Sequence, residues 1–149
     1  MVTYEEIEEA QTRGMKMAGT ILLITAAFGV FSWSIARVGH PAAAAVDLVL
    51  GGLLFRLHFF WKPFVLVRAA IGLTVGTVMI FGGFSGASTH AFALVIGGGQ
   101  IAYCLSLVLL LFDVTTPARI RTAQALFAVS ILMTLASVFV IDSAAAPLM

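Results

Sequence analysis

Five apolar runs, with basic residues gathered at alternate links between them, constrain this chain more than any other feature. The runs cover about residues 17–36, 42–58, 64–84, 91–112 and 122–141. Crossing a bilayer core takes about 20 predominantly apolar residues in a helix. Five such spans account for nearly all of the 149 residues. If successive links alternate between the two sides, one side holds Arg13, Lys16, Arg56, Lys62, Arg68, Arg119 and Arg121, and the other holds Arg37. Lys and Arg accumulate on the cytoplasmic side of membrane proteins. The pattern therefore predicts an all-α, polytopic transmembrane bundle of five spans, N-terminus in the cytoplasm and C-terminus outside, in a bacterial inner membrane.

Charge supply points the same way. Asp, Glu, Lys and Arg make up 10% of the chain, against about 25% in a soluble domain. The mean hydropathy is +1.10. Residues 1–149 are thus expected to form one integral membrane domain, with no extramembrane part able to house an active site. The second run is the weakest span, because Asp47 lies within it and Arg56 and His58 arrive early. It crosses only if Arg56 snorkels to the headgroups. A four-span alternative would leave Arg37, Arg56 and Lys62 together on the outer side, against the charge rule.

Ahead of the first span, residues 1–16 read as a short cytoplasmic amphipathic helix. Thr3 and Glu6 have capping-box spacing, and Glu5, Glu6, Glu8 and Glu9 fall where the helix dipole favours anions. This segment is either a solvated helix or a docking element for a basic partner. Ser34-Ile35-Ala36 has the small-x-small form of a signal cleavage site. The preceding run is too long, and its leading segment too acidic, for a signal peptide. A weak internal echo relates Leu48–Gly52 to Leu94–Gly98, which would make the two following hairpins parallel repeats. Cys104 is the sole cysteine, so no intrachain disulfide forms.

Small residues mark where helices approach. Gly72 with Gly76, and Gly82 with Gly86, are small-xxx-small pairs, which let backbones touch where lipid provides no hydrophobic drive for association. They serve packing within one bundle or a lateral face for another subunit.

Polar groups within the spans are the site candidates. Asp47 is the foremost, since a charge at that depth is a functional hypothesis by default. It lies about 9 Å inside the outer end of its run, with Arg37 as the expected partner. Gln100, Thr77 and Thr134, with Ser32, Ser34 and Tyr103, lie at similar depth and could complete a proton or small-cation site. Equally, Thr and Ser could bond their own backbones and Gln100 could join two helices. At the cytoplasmic rim, Arg56, Trp61, Lys62, Arg68, Arg119 and Arg121 are candidates for contact with anionic lipid headgroups or a partner. Arg68 is also placed to pair with Asp113.

His40, His58 and His90 lack the i, i+3 or i, i+4 spacing of a helical metal site, so no metal or cofactor is expected. No Ser, Cys, His and acid share one depth, so no catalytic residue is assigned and an enzyme is not expected. Nucleic acid is excluded as a partner by the membrane placement. The resulting expectation is an accessory or structural subunit of a larger membrane complex, in contact with lipid and other membrane subunits. The alternative is a small proton- or cation-coupled transporter or channel working as a homo-oligomer.

Overall fold

A computed structural model describes residues 4–36, 41–56, 59–82, 87–112 and 116–145. Every element in them is helical: α1 (Tyr4–Ala36), α2 (Pro41–Phe55), a single 3-10 turn (Phe59–Trp61), α3 (Lys62–Phe81), α4 (Ala87–Leu111) and α5 (Pro117–Ala145). Proline marks three of the starts, where its missing N–H has no intrahelical role: Pro41 opens α2, Pro63 lies in the first turn of α3 and Pro117 opens α5. Thr116 caps α5 by accepting the Arg119 backbone N–H on its hydroxyl at 3.3 Å. Glu5 and Glu6 occupy the first turn of α1, where the dipole favours them. The leading amphipathic segment and the first span form one continuous helix. Thr3, the other half of the expected capping box, lies outside the described residues.

Four helices, α1, α3, α4 and α5, are long and apolar enough to cross a membrane. The second run is shorter than its sequence boundaries suggested. α2 stops at Phe55 rather than residue 58, and Arg56 sits in a closing turn, its N–H bonded to the Gly52 carbonyl at 3.2 Å. Fifteen residues rise about 22 Å, short of the roughly 30 Å hydrocarbon core. Arg56 is exposed, as a charge at the edge of an apolar segment should be.

Close approaches between backbones fix the helix registers. α1 and α2 run antiparallel, with Gly19 against Gly51 and Gly29 against Ala44. A Cβ on Gly19 would lie 2.9 Å from the Gly51 carbonyl oxygen, so no larger residue fits that crossing. α3 and α4 are likewise antiparallel, and a Cβ on Gly76 would lie 2.9 Å from the Gly97 carbonyl. α5 packs on α4, with Met133 and Ser130 over Gly98 and Gly99. Arg119 ties the near ends of these two helices, its Nη1 donating to the Phe112 carbonyl at 3.1 Å.

The helices form two bodies. α1 packs on α2, α3 and α5 pack on α4, and the α1–α4 contact joins the two sets. The consecutive helices α2 and α3 scarcely touch along their backbones. At the junction, Leu22, Leu54, Val65, Leu107 and Leu110 are buried. The exterior is inverted relative to a water-soluble protein: Phe81 is 80% exposed and Leu132 65%, while Asp47 is 3% exposed. An apolar surface around a buried charge is the distribution that hydrocarbon requires, as in an integral membrane protein.

Candidate functional site

Asp47 lies on α2, on the same face as Ala44, Leu50, Gly51 and Leu54. That face turns into the bundle and carries the carboxylate with it. Arg68, on α3, comes from the opposite side. Its Nε donates to Asp47 Oδ1 at 3.0 Å and its Nη2 to Oδ2 at 3.2 Å. This two-point geometry is the strong form of the arginine–carboxylate pair. Tyr103, buried on α4, adds its hydroxyl to Oδ2 at 3.4 Å, and Thr25 of α1 neighbours that hydroxyl. Groups from α2, α3 and α4 therefore meet at one carboxylate, where the two bodies join, and α1 reaches it only through Tyr103.

Gly72 makes room for the arginine. A Cβ there would collide with Cys104 Sγ and stand 2.7 Å from Gln100 Nε2 and 3.3 Å from Arg68 Nη1. The bare Cα of Gly72 thus lets Arg68, Gln100 and Cys104 converge between α3 and α4. Gln100 Nε2 contacts Cys104 Sγ, one turn along the same helix, at 3.5 Å. Among the described residues, no buried side-chain nitrogen or oxygen lacks a partner. An isolated ion in hydrocarbon is costly, and a paired one much less so. Chemically the centre is a neutral, bidentate clamp that holds three helices through side chains.

The sequence brought Asp47 forward but matched it to other partners. Arg37, its expected counter-ion, lies outside the described residues, as does Asp113, the expected partner of Arg68. The two charges thought to belong to different sites meet each other instead. The reason is the short α2. Asp47 is six residues from Pro41 at the start of that helix, but it is also only eight, or about 12 Å, from Phe55 at its other end. Arg68 is six residues, about 9 Å, from the start of α3 at that same end. An arginine side chain bridges the difference. Opposite charges at matching depth on consecutive antiparallel runs were the available signal. Tyr103 carried a weaker one, as a hydroxyl at similar depth.

The remaining candidates disperse. Thr77 is exposed on α3 and donates to its own Leu73 carbonyl at 2.8 Å, and Thr134 does the same to Ser130 at 2.9 Å. Ser34 donates to Val30 at 2.8 Å. Gly72 and Gly76 are buried against α4. Gly82 lies past the end of α3, exposed, with its N–H on the Val78 carbonyl at 2.7 Å. Gly86 lies outside the described residues.

At the rim, Arg56 and Arg121 are exposed, and Trp61 and Lys62 are half-buried at the start of α3. Phe60, Trp61 and Phe64 form an aromatic ledge there, with Trp61 and Phe64 centroids 5.1 Å apart. Arg119 is drawn onto the end of α4. His90 is exposed on α4, whereas His40 and His58 lie outside the described residues. Among the described residues, no three His, Cys, Asp or Glu side chains gather as a metal site. Comparison with protein-family models, with characterised proteins and with solved structures finds no match for this chain.

Proposed function

We propose that this protein is a multi-pass membrane protein that acts as an accessory or structural subunit of a larger membrane complex. One observation carries the reading: Asp47 is already answered by Arg68 on both oxygens and by Tyr103 on one. A carboxylate so engaged is suited to fixing helices together rather than to admitting a moving ion. The outward faces of α3 and α5 support the same reading. Residues such as Val67, Ile71, Val78, Leu132 and Leu135 are exposed along them, offering apolar area to neighbouring helices as well as to lipid. In this reading α2 crosses as a short fifth span, with Arg56 at the headgroups. The basic residues near the starts of α1, α3 and α5 face the cytoplasm of a bacterial cell.

Gentle extraction of the C-terminally tagged chain from its own membrane, followed by native mass determination, tests the proposal. Fixed partners in constant ratio are expected. A chain that always emerges alone and monomeric overturns it.

The buried carboxylate also favours a second reading, a proton- or cation-coupled transporter or channel working as a homo-oligomer, because ionisable groups at this depth often lie on ion pathways. Reconstituted vesicles discriminate. Transport that survives in Asp47→Asn, with Arg68→Gln present to avoid an unpaired cation, rejects that reading; loss of transport with the fold intact supports it.

A further inference from the structure

Between α1 and α5 lies a groove of about 460 Å³ that the ion-paired centre does not use. Arg13, Lys16 and Gln124 stand at one end and Ile24 and Ile131 at the other, with Phe127 and Ala128 between. We propose that this groove is a binding site for one anionic phospholipid, with its phosphate on Arg13 and Lys16 and one acyl chain along the apolar floor.

Three observations select that occupant. The first is charge. Arg13 and Lys16 are three residues apart and so share a helix face. Among the described residues, no ion pair or hydrogen bond falls on either side chain, nor on that of Gln124. The mouth therefore presents cationic and amide donors with no protein acceptor, the complement of a phosphodiester. The second is length. From Arg13 to Ile24 the helix rises about 16 Å, close to the roughly 15 Å of one hydrocarbon leaflet. The third is lining. Met17, Ile21, Ile24, Phe127, Ala128 and Ile131 make the floor apolar, as an extended hydrocarbon chain requires.

The proposal rests on the membrane placement and not on the subunit role. Its test is native mass spectrometry of the purified full chain in detergent containing equal amounts of dioleoyl phosphatidylglycerol and dioleoyl phosphatidylcholine. The expected result is one retained lipid with about thirtyfold preference for phosphatidylglycerol, as two basic contacts of about 1 kcal/mol each warrant. Arg13→Gln with Lys16→Gln should bring the ratio close to one. Ala128→Trp, which fills the groove and keeps both charges, should abolish retention, while Arg121→Gln should leave the preference intact. Equal retention of the two lipids by the native chain overturns the site. So does a loss of preference in Arg121→Gln as large as in the double variant, which would mark a general charge effect. Undiminished retention in Ala128→Trp places the lipid elsewhere and also overturns it. Retention of neither lipid overturns the site as well, and leaves the membrane placement, which rests on helix length and composition, untouched.

Discussion

The α3–α4 and α2–α3 boundaries join helices by opposite means. At the first, Gly76 and Gly97 bring two backbones together until no side chain fits between them. At the second the backbones scarcely meet, and a salt bridge reaches across. In hydrocarbon, apolar contact between helices has no solvent-driven advantage over contact with lipid, so association depends on close packing or on polar groups that lipid cannot satisfy. The molecule uses packing within each of its two bodies and adds a polar contact to the apolar α1–α4 junction between them. Glycine crossings depend on many small contacts, whereas the clamp concentrates its contribution in two residues.

That contrast is broken most severely at Arg68. Arg68→Leu should cost about 3–5 kcal/mol, because it strands the buried Asp47 carboxylate without its cation. Reversible unfolding in mixed micelles measures it. Adding Asp47→Leu should restore most of the loss, since replacing both partners of a buried pair with apolar groups is often neutral. A double variant no better than the single one would show that the pair does more than cancel charge. Next in size is Gly76→Ala. Its Cβ would meet Ile101 Cγ1 at 2.8 Å as well as the Gly97 carbonyl at 2.9 Å, so overpacking of about 1–3 kcal/mol is expected. No second substitution at the clamp should rescue it. Additive losses at Gly76 and Arg68 in the same unfolding assay would confirm that the boundaries are independent.

The helices were legible in the sequence because each apolar run is bounded by charge or proline, and four of the five reach spanning length. The clamp was half legible. Asp47 stands out against its apolar surroundings, but choosing its partner required the end of α2, and a run of 42–58 placed that end three residues too far along. With the longer span, Asp47 belongs to the outer leaflet and Arg68 to the inner. With the shorter one, they nearly coincide in depth. Helix faces were the other missing quantity. Every run is apolar nearly all round, so no amphipathic stripe marks which side of α3 carries Thr77 outward and Arg68 inward. The same lack hid the α1–α5 groove, which depends on two helices far apart in sequence coming side by side.

Smaller effects sharpen the contrast from within the clamp. Tyr103→Phe removes one hydroxyl at 3.4 Å from a carboxylate that keeps both arginine contacts. The expected loss is about 0.5–1 kcal/mol, in the range of single polar contacts between membrane helices. A loss as large as that of Arg68→Leu would make the phenol, not the guanidinium, the principal support of Asp47.

The least disruptive substitution tests how far the clamp extends. By the boundaries of the apolar runs, Thr77 belongs with Asp47. It sits instead on the outer face of α3, its hydroxyl closed on Leu73 within its own helix. Thr77→Val keeps the shape and exchanges that local bond for a methyl group facing outward. Stability should move by no more than about 0.5 kcal/mol, as for other exposed positions away from special features. The Asp47–Arg68 coupling measured by the double-variant cycle should stay unchanged. Any shift in that coupling would place the Thr77 hydroxyl in the same polar network as Asp47. The centre would then be an open cluster reaching toward the C-terminal end of α3, the arrangement that ion passage requires, rather than a closed contact between two bodies.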